Sequence, residues 1–327
     1  GCGGQGPDSW RRPGASVLLI TLDTTRADYV GAYGAGRAET PHLDGLAAEG
    51  TLFRTAATSV PMTRPAHTSR LTGRWPTTHG VRDNGGFFVS DDERTLAEEL
   101  RAAGYETGAV VAAFVLHHSA GLDQGFGFYE DRFDDRPEGA EGVMHVQRDG
   151  AEVVYRASDW LEDRGEEPFF LWLHFFDPHY PYEPKGEFAR RYPDDPYAAE
   201  VAYTDAQLGR LFGFMRERGI LDSTLVVVIG DHGEALGEHQ EFDHGIFLYE
   251  PTMRVPLIVR IPGQPEGRVV EELVRDVDVM PTLLDIVGLP VPPQVEGSSL
   301  LPLMAGEKEA ARHAFGESWY SRLHYGW

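Results

Sequence analysis

Short continuous apolar runs recur along the chain, separated by stretches with helical spacing. Residues 15–22 (ASVLLITL) form one such run, typical of a strand buried on both faces. Thr40-Pro41 opens a predicted helix that runs to Gly50, with Thr as the cap and Pro in the first turn. Residues 51–57 read as a strand, 94–103 as a helix stopped by Gly104, and 105–112 as a strand. Residues 150–164 are amphipathic, and 169–175 (FFLWLHF) are a buried strand. Ala198, Val201, Ala202, Leu208, Leu211, Phe212 and Met215 keep helical spacing up to Gly219. Residues 225–229 and 256–261 are two more strands, and 280–287 a short helix closed by Gly288. Strands alternating with helices predict an α/β fold with a mostly parallel sheet.

No internal repeat or low-complexity tract interrupts this order. Residues 1–14 are Gly/Pro/polar and read as a flexible linker, and 15–300 as one catalytic domain. Residues 301–327 read as the start of a truncated C-terminal subdomain, because the chain ends on Leu323-His324-Tyr325-Gly326-Trp327 without a capping signal. The acidic, Pro/Gly-containing stretch 131–141 reads as a surface loop.

Composition narrows the function. The 327 residues carry a net charge of −23, which argues against a nucleic-acid partner, whose footprint is basic. It argues equally against docking on anionic lipid through a basic patch. A small anionic substrate stays open, since one metal or a few cations can reverse the sign inside a cleft. Cys2 is the only cysteine, which leaves no disulfide framework and no Cys-based zinc site. Gly1-Cys2-Gly-Gly-Gln-Gly matches the trimmed end of a bacterial lipoprotein signal, with Cys2 carrying the lipid. That reading predicts a periplasmic or extracellular protein with a lipid anchor. A plain N-terminal extension is the alternative. The oligomeric state is not legible.

In an open parallel sheet, ligands bind beyond the carboxyl ends of the strands. Three predicted strands end there in chemistry. The first is followed by Asp23-Thr24-Thr25-Arg26, the 169–175 strand by Asp177-Pro178-His179, and the 225–229 strand by Asp231-His232-Gly233-Glu234. Asp231-His232 can grip one divalent ion from two directions, and the loop beyond returns with His239, Asp243 and His244. Mixed oxygen and nitrogen donors favour zinc or manganese over magnesium, with calcium as the remaining option and one or two ions per chain. Thr63 stands where a strand gives way to a helix. It either caps that helix or serves as a metal-activated nucleophile, and spacing does not choose between them. His174, inside a buried strand, reads as a satisfied core histidine, and His117 and His118 carry no partner signal.

The ordered segments LDTTRAD (22–28), TPHLD (40–44), LTGRWP (71–76), DPH (177–179), DHGE (231–234) and RVPLI (254–258) resemble the sulfatase family of the alkaline phosphatase superfamily. The resemblance implies an alkaline phosphatase-like sandwich, a mostly parallel central sheet with helices on both faces. It also implies a metal-dependent hydrolase of sulfate or phosphate esters. One departure is plain. Sulfatases carry C-x-P-S-R ahead of L-T-G-R, and the cysteine becomes formylglycine. Here the register reads Thr63-Arg64-Pro65-Ala66-His67, so formylglycine cannot form. The usual Asp-Asp of the first metal motif is Asp23-Thr24. Both changes point toward relatives with a threonine nucleophile, phosphodiesterases and phosphoethanolamine-type transferases, and a phosphonate monoester hydrolase is a further alternative activity.

Carried over residue by residue, the resemblance places Asp23, Thr63, Asp231 and His232 around one cation. His179 and His244 either join Asp177 on a second metal or donate to the anion, and His67 orients the ester or protonates the leaving group. Arg26 balances the carboxylates or forms a surface ion pair. Arg82 and Asn84 are candidate contacts to a small-molecule, glycan or lipid ester. A non-catalytic glycan-binding domain is the remaining alternative.

Overall fold

The computed structural model describes residues 6–34, 36–133, 147–264 and 267–327. Among these described residues, nine strands form one sheet: β1 (Ser16–Leu22), β2 (Thr51–Ala57), β3 (Glu106–Val110), β4 (Phe128–Glu130), β5 (Phe169–Phe175), β6 (Thr224–Gly230), β7 (Arg254–Val255), β8 (Leu257–Arg260) and β9 (Arg268–Arg275). The order is β4-β3-β5-β1-β6-β8-β2-β7, with β9 paired to β2. The run β4-β3-β5-β1-β6 is parallel throughout. β8 is antiparallel to β6 and to β2, so the sheet is mixed but mostly parallel, as the sequence predicts.

β1 lies between β5 and β6 and is buried from its second residue onward. Its side chains alternate between two apolar layers. Val17 and Leu19 pack with Trp172, Val227, Met280 and Leu283, while Leu18 and Ile20 pack with Leu173, Val228, Leu208 and Met215. Helices therefore cover both faces, which is why β1 reads as an uninterrupted apolar run rather than an alternating one. The long helix Pro196–Glu217 lies against one layer and Val279–Ile286 against the other.

Most predicted elements are present within a residue or two. Three strands are additional. β4 has three residues and β7 two, too short for a periodic signal, and β9 is mostly solvent-facing, so its apolar positions are sparse. The N-terminal stretch is not a free linker from Pro7 onward. Arg12 N–H donates to Ile286 O at 2.5 Å, its Nε to Pro262 O at 2.6 Å, and Arg11 pairs with Asp285 at 2.9 Å. At the other end, Leu301, Leu303 and Met304 are buried in the core. The final residues form a helix, Tyr320–Tyr325, closed by Gly326 with φ of 70°. Cys2 and most of the acidic 131–141 stretch lie outside the described residues. Among the described residues no helix is long and apolar enough to cross a membrane.

Candidate metal centre and active site

The register of three adjacent parallel strands sets the site. Leu22 of β1 pairs with Phe175 of β5 and Gly230 of β6, so Asp23, Phe176 and Asp231 emerge together at the carboxyl edge. The chain turns sharply after Asp23. Thr24 has φ of 46°, a conformation a β-branched residue rarely adopts. It is held there by Thr24 N–H donating to Asp231 Oδ1 (3.1 Å), Thr24 Oγ1 to Pro178 O (3.0 Å) and Tyr197 OH to Thr24 O (2.6 Å). Gly233 is required for a different reason. A Cβ there would run into the carbonyl of Pro251.

Thr63 is the first residue of the helix Thr63–Thr72, and the preceding Met62 makes no side-chain cap. The hydroxyl is not spent on capping. It lies 3.5 Å from His232 Nε2. His232 Nδ1 donates to Gly233 O (3.0 Å), which leaves the Nε2 lone pair facing inward. From Nε2 the distances are 3.7 Å to Asp23 Oδ1 and 3.6 Å to Asp231 Oδ2. Donors about 2.0–2.2 Å from a tetrahedral ion sit roughly 3.3–3.6 Å apart, so these spacings suit one small divalent cation. Both Asp23 oxygens and Asp231 Oδ2 are buried without a hydrogen-bond partner, a costly state that a cation relieves. Burial, and for Asp23 also its proximity to Asp231, raises both acids above the ordinary carboxylate range. The donor set therefore fits the cation that the family resemblance implies. The fully buried Arg70 guanidinium, which donates to Gly230 O (3.1 Å), sits near Asp231.

His179 and His244 face the same cavity, which has a volume of about 310 Å³ and is also lined by Asp23, Thr63, Phe176 and Tyr320. His179 Nδ1 donates to Tyr180 O (2.5 Å) and the ring stacks on Phe176 (4.5 Å), leaving Nε2 free. His244 Nδ1 lies 3.1 Å from the buried Glu234 carboxylate and 3.0 Å from Asp243. Burial disfavours its charge, but Glu234 and Asp243 outweigh burial, and the imidazole is pushed well above its ordinary value. Its ring lies 4.3 Å from that of His232.

Several expectations need correction. Asp177 does not join His179 and His244. Its carboxylate accepts from Gly150 N–H (3.3 Å), and burial pushes it up to about 6. His67 cannot protonate a leaving group. It is fully buried, does not line the cavity, and burial with neighbouring His174 and Arg70 holds it well below its ordinary value. Its Nδ1 donates to Thr63 O at 2.7 Å. Arg82 is committed to Glu317 (3.3 Å) and to the Trp319 ring (4.5 Å), while Asn84 lines the cavity with its Oδ1 accepting from Arg64 N–H (2.8 Å). Arg26 is buried, but it pairs with Asp28 and Glu238 (both 2.8 Å) rather than with the metal-facing carboxylates.

His174 is not a satisfied core histidine. Its Nε2 has no hydrogen-bond partner and lies 3.4 Å from Asp23 Oδ2. Sequence reasoning also passed over Tyr320, a cavity-lining residue from the C-terminal helix, and the role of Glu234 behind His244. No local signal marks Tyr320. Glu234 stands two residues past Asp231-His232, and that adjacency was its only cue. His118 Nδ1 lies 2.8 Å from Asp131, with His117 beside it, a cluster apart from this site.

A buried carboxylate–imidazole centre with a hydroxyl at its edge, set on this α/β fold, is the equipment of an ester hydrolase. Residues 15–289 match the sulfatase family model, and the chain belongs to that family. It is similar to an arylsulfatase of Clostridium perfringens, 27% identical over 92% of this chain and 82% of that one. A multifunctional alkaline phosphatase superfamily protein of Trinickia caryophylli is 26% identical over 95% of this chain and 79% of the other. Among solved structures, the phosphonate monoester hydrolase of Agrobacterium radiobacter superposes with a TM-score of 0.75, at 23% identity over 91% of this chain and 79% of that one. A protein solved in complex with its substrate D-glucosamine-2-N,6-O-disulfate superposes with a TM-score of 0.76, at 22% identity over 90% and 80% of the two chains.

Proposed function

We propose that this enzyme cleaves sulfate or phosphate esters through the Thr63 hydroxyl, at a centre where Asp23, Thr63, Asp231 and His232 hold one divalent cation. The observation that carries this is the meeting of Thr63 Oγ1, His232 Nε2, Asp23 Oδ1 and Asp231 Oδ2, with His232 Nε2 3.5–3.7 Å from the other three. When bound, the cation supplies Lewis acidity that favours the alkoxide of a hydroxyl. Zinc or manganese suits the mixed donors best.

The chain's own groups do the rest. As Thr63 Oγ1 gives up its proton to solvent and bonds to the sulfur or phosphorus, the ester bond to the in-line leaving oxygen breaks and that oxygen takes a proton from solvent. His244, whose protonated form Glu234 and Asp243 favour, donates to a nonbridging oxygen as charge develops, and His179, its ring 5.1 Å from that of His244, approaches beside it. Water then attacks the threonine ester at sulfur or phosphorus and frees Thr63.

That last step favours phosphate or phosphonate esters within the family. A formylglycine hydrate can expel sulfate by collapsing to its aldehyde, whereas a threonine ester has no such exit. The similarity to a phosphonate monoester hydrolase agrees with this preference, while the neighbours solved with glycan sulfates keep sulfate esters as the second reading. A panel of aryl sulfate, aryl phosphate, phosphonate monoester and phosphodiester substrates separates the two. Turnover that depends on Thr63 supports the assignment. No turnover on any of them, with a glycan bound intact, supports a binding domain instead.

A further inference from the structure

We propose that the organic part of the ester is a compact apolar group, an aryl or hydrophobic alkyl alcohol rather than a sugar, seated against Met62, Phe114, Val115, Phe176 and Tyr320. The inference rests on the Thr63 reading above and names the substrate class of that same site.

Four segments far apart in sequence supply this wall. Met62 precedes the helix Thr63–Thr72, Phe114 and Val115 follow the end of β3, Phe176 follows β5, and Tyr320 opens the C-terminal helix. Phe114, Val115 and Tyr320 are only partly buried, and all three line the cavity, so part of their apolar surface is open to it. Covering such surface with an apolar group is favourable. Covering it with hydroxyls strips them of water without return. The cavity volume of about 310 Å³ corresponds to roughly ten water molecules at about 30 Å³ each. That space suits an anion joined to a single ring better than an oligosaccharide.

The polar groups of the same wall are already bonded within the protein. Asp83 is buried, its Oδ1 accepts from Gly85 N–H (2.9 Å), and its Oδ2 lies 3.0 Å from His324 Nε2. Asn84 Oδ1 accepts from Arg64 N–H (2.8 Å), and Asp243 Oδ1 lies 3.0 Å from His244 Nδ1. Sugar hydroxyls therefore meet few free partners. Among the described residues no Lys or Arg lines the cavity. The neighbouring guanidiniums serve the fold. Arg64 donates to Val115 O and Phe87 O (both 2.8 Å), and Arg82 pairs with Glu317 (3.3 Å). A second sulfate on a sugar would meet the carboxylates of Asp83 and Asp243 rather than a Lys or Arg.

The test compares benzyl phosphate with glucose 6-phosphate on the full chain supplied with Zn²⁺ or Mn²⁺, and benzyl sulfate with glucose 6-sulfate beside them. Within each pair the same anion is transferred and a primary alcohol leaves, so the kcat/KM ratio reads the cavity rather than the leaving group. The benzyl ester is expected to win by about a hundredfold, the scale of discrimination that apolar pockets reach. Phe114→Gln should cut this ratio by about tenfold, while Phe114→Leu keeps most of it. If the glutamine variant fails to fold, Val115→Thr, isosteric and partly exposed, replaces it and should lower the ratio in the same direction. Calorimetric titration of the Thr63→Ala chain with benzyl phosphate and glucose 6-phosphate reads the same preference without turnover. A sugar ester handled as well as the benzyl ester overturns the inference and leaves the Thr63 reading standing. So does a ratio unmoved by the wall substitutions. If no ester is turned over, the Thr63 reading fails, and the binding ratio still decides what the cavity accepts: tighter benzyl phosphate sustains the inference, and equal or absent binding overturns it.

Discussion

Thr63 Oγ1 and His232 Nε2 lie 3.5 Å apart although 169 residues separate them in sequence. One stands at the start of a helix, the other just past the end of β6. The hydroxyl makes no cap and no stronger bond. Helix capping does not explain its placement.

Replacing Thr63 therefore separates function from folding. Thr63→Ala removes the attacking oxygen and should lower kcat/KM by about a thousandfold or more, the scale seen when a nucleophile is lost. The melting temperature should change little, because no cap bond disappears. Thr63→Ser keeps the hydroxyl and should retain measurable turnover. Steady-state kinetics beside a thermal melt decide it, and an alanine variant with wild-type rates removes Thr63 from the mechanism.

Asp231 carries a different load. Its Oδ1 is fixed by two backbone N–H groups, and its Oδ2 faces His232 Nε2. Asp231→Asn keeps an acceptor for the backbone but removes a buried charge from the centre. Metal analysis should show occupancy falling at least tenfold at a fixed cation concentration. Chelation should lower the melting temperature of the wild type, since a cation bound only to the folded state stabilises it, and should shift the variant much less. Full occupancy in the variant would refute the ligand assignment.

Much of this was legible because strand ends announce themselves. β1, β5 and β6 are continuous apolar runs that stop at Asp23, Asp177-Pro178-His179 and Asp231-His232, and the parallel-sheet rule gathers those ends at one edge. What the rule does not give is side-chain direction. Asp177 and His179 are two residues apart, yet the first faces Gly150 and the second the cavity. His174 was misread because an apolar strand makes any polar residue in it look structural. Only the register against Thr21, and through it Asp23, shows that it faces the site. Tyr320 was missed because its contribution is tertiary. It comes from a six-residue helix packed beside Gly245, whose His324 also lines the cavity and which lies far along the chain from the other site residues.

The charge on His244 is predicted to depend on Glu234. Glu234 is fully buried, and its carboxylate is the largest influence favouring the imidazolium. Glu234→Gln keeps the shape and an acceptor oxygen but removes the charge. Substrate anions should bind less well at pH 8, with KM rising about tenfold, equivalent to ~1.4 kcal/mol. At pH 6 the difference should shrink as His244 is protonated again by solution acid. A KM ratio that is flat between these pH values would show that His244 does not supply the positive charge.

Asp177 gives the stability counterpart, with the opposite requirement. Burial raises its carboxyl from 3.8 to about 6 in the folded protein. Between those values the folded state binds more protons than the unfolded one, so stability falls as pH rises through that window. Below about pH 4 both states are protonated and the contribution is fully present. Above about pH 6 it is lost. The shift corresponds to at most about 3 kcal/mol, and partial exposure of the residue brings it nearer to 1. Asp177→Asn has no proton to lose and can still accept from Gly150 N–H. It should therefore raise the melting temperature at pH 8 by a few degrees and leave it unchanged, or slightly lower it, at pH 4. Metal content should stay at the wild-type level, because the carboxylate faces Gly150 rather than the centre. A variant that loses metal would return Asp177 to the ligand set, and a melting difference independent of pH would show that its carboxyl titrates normally.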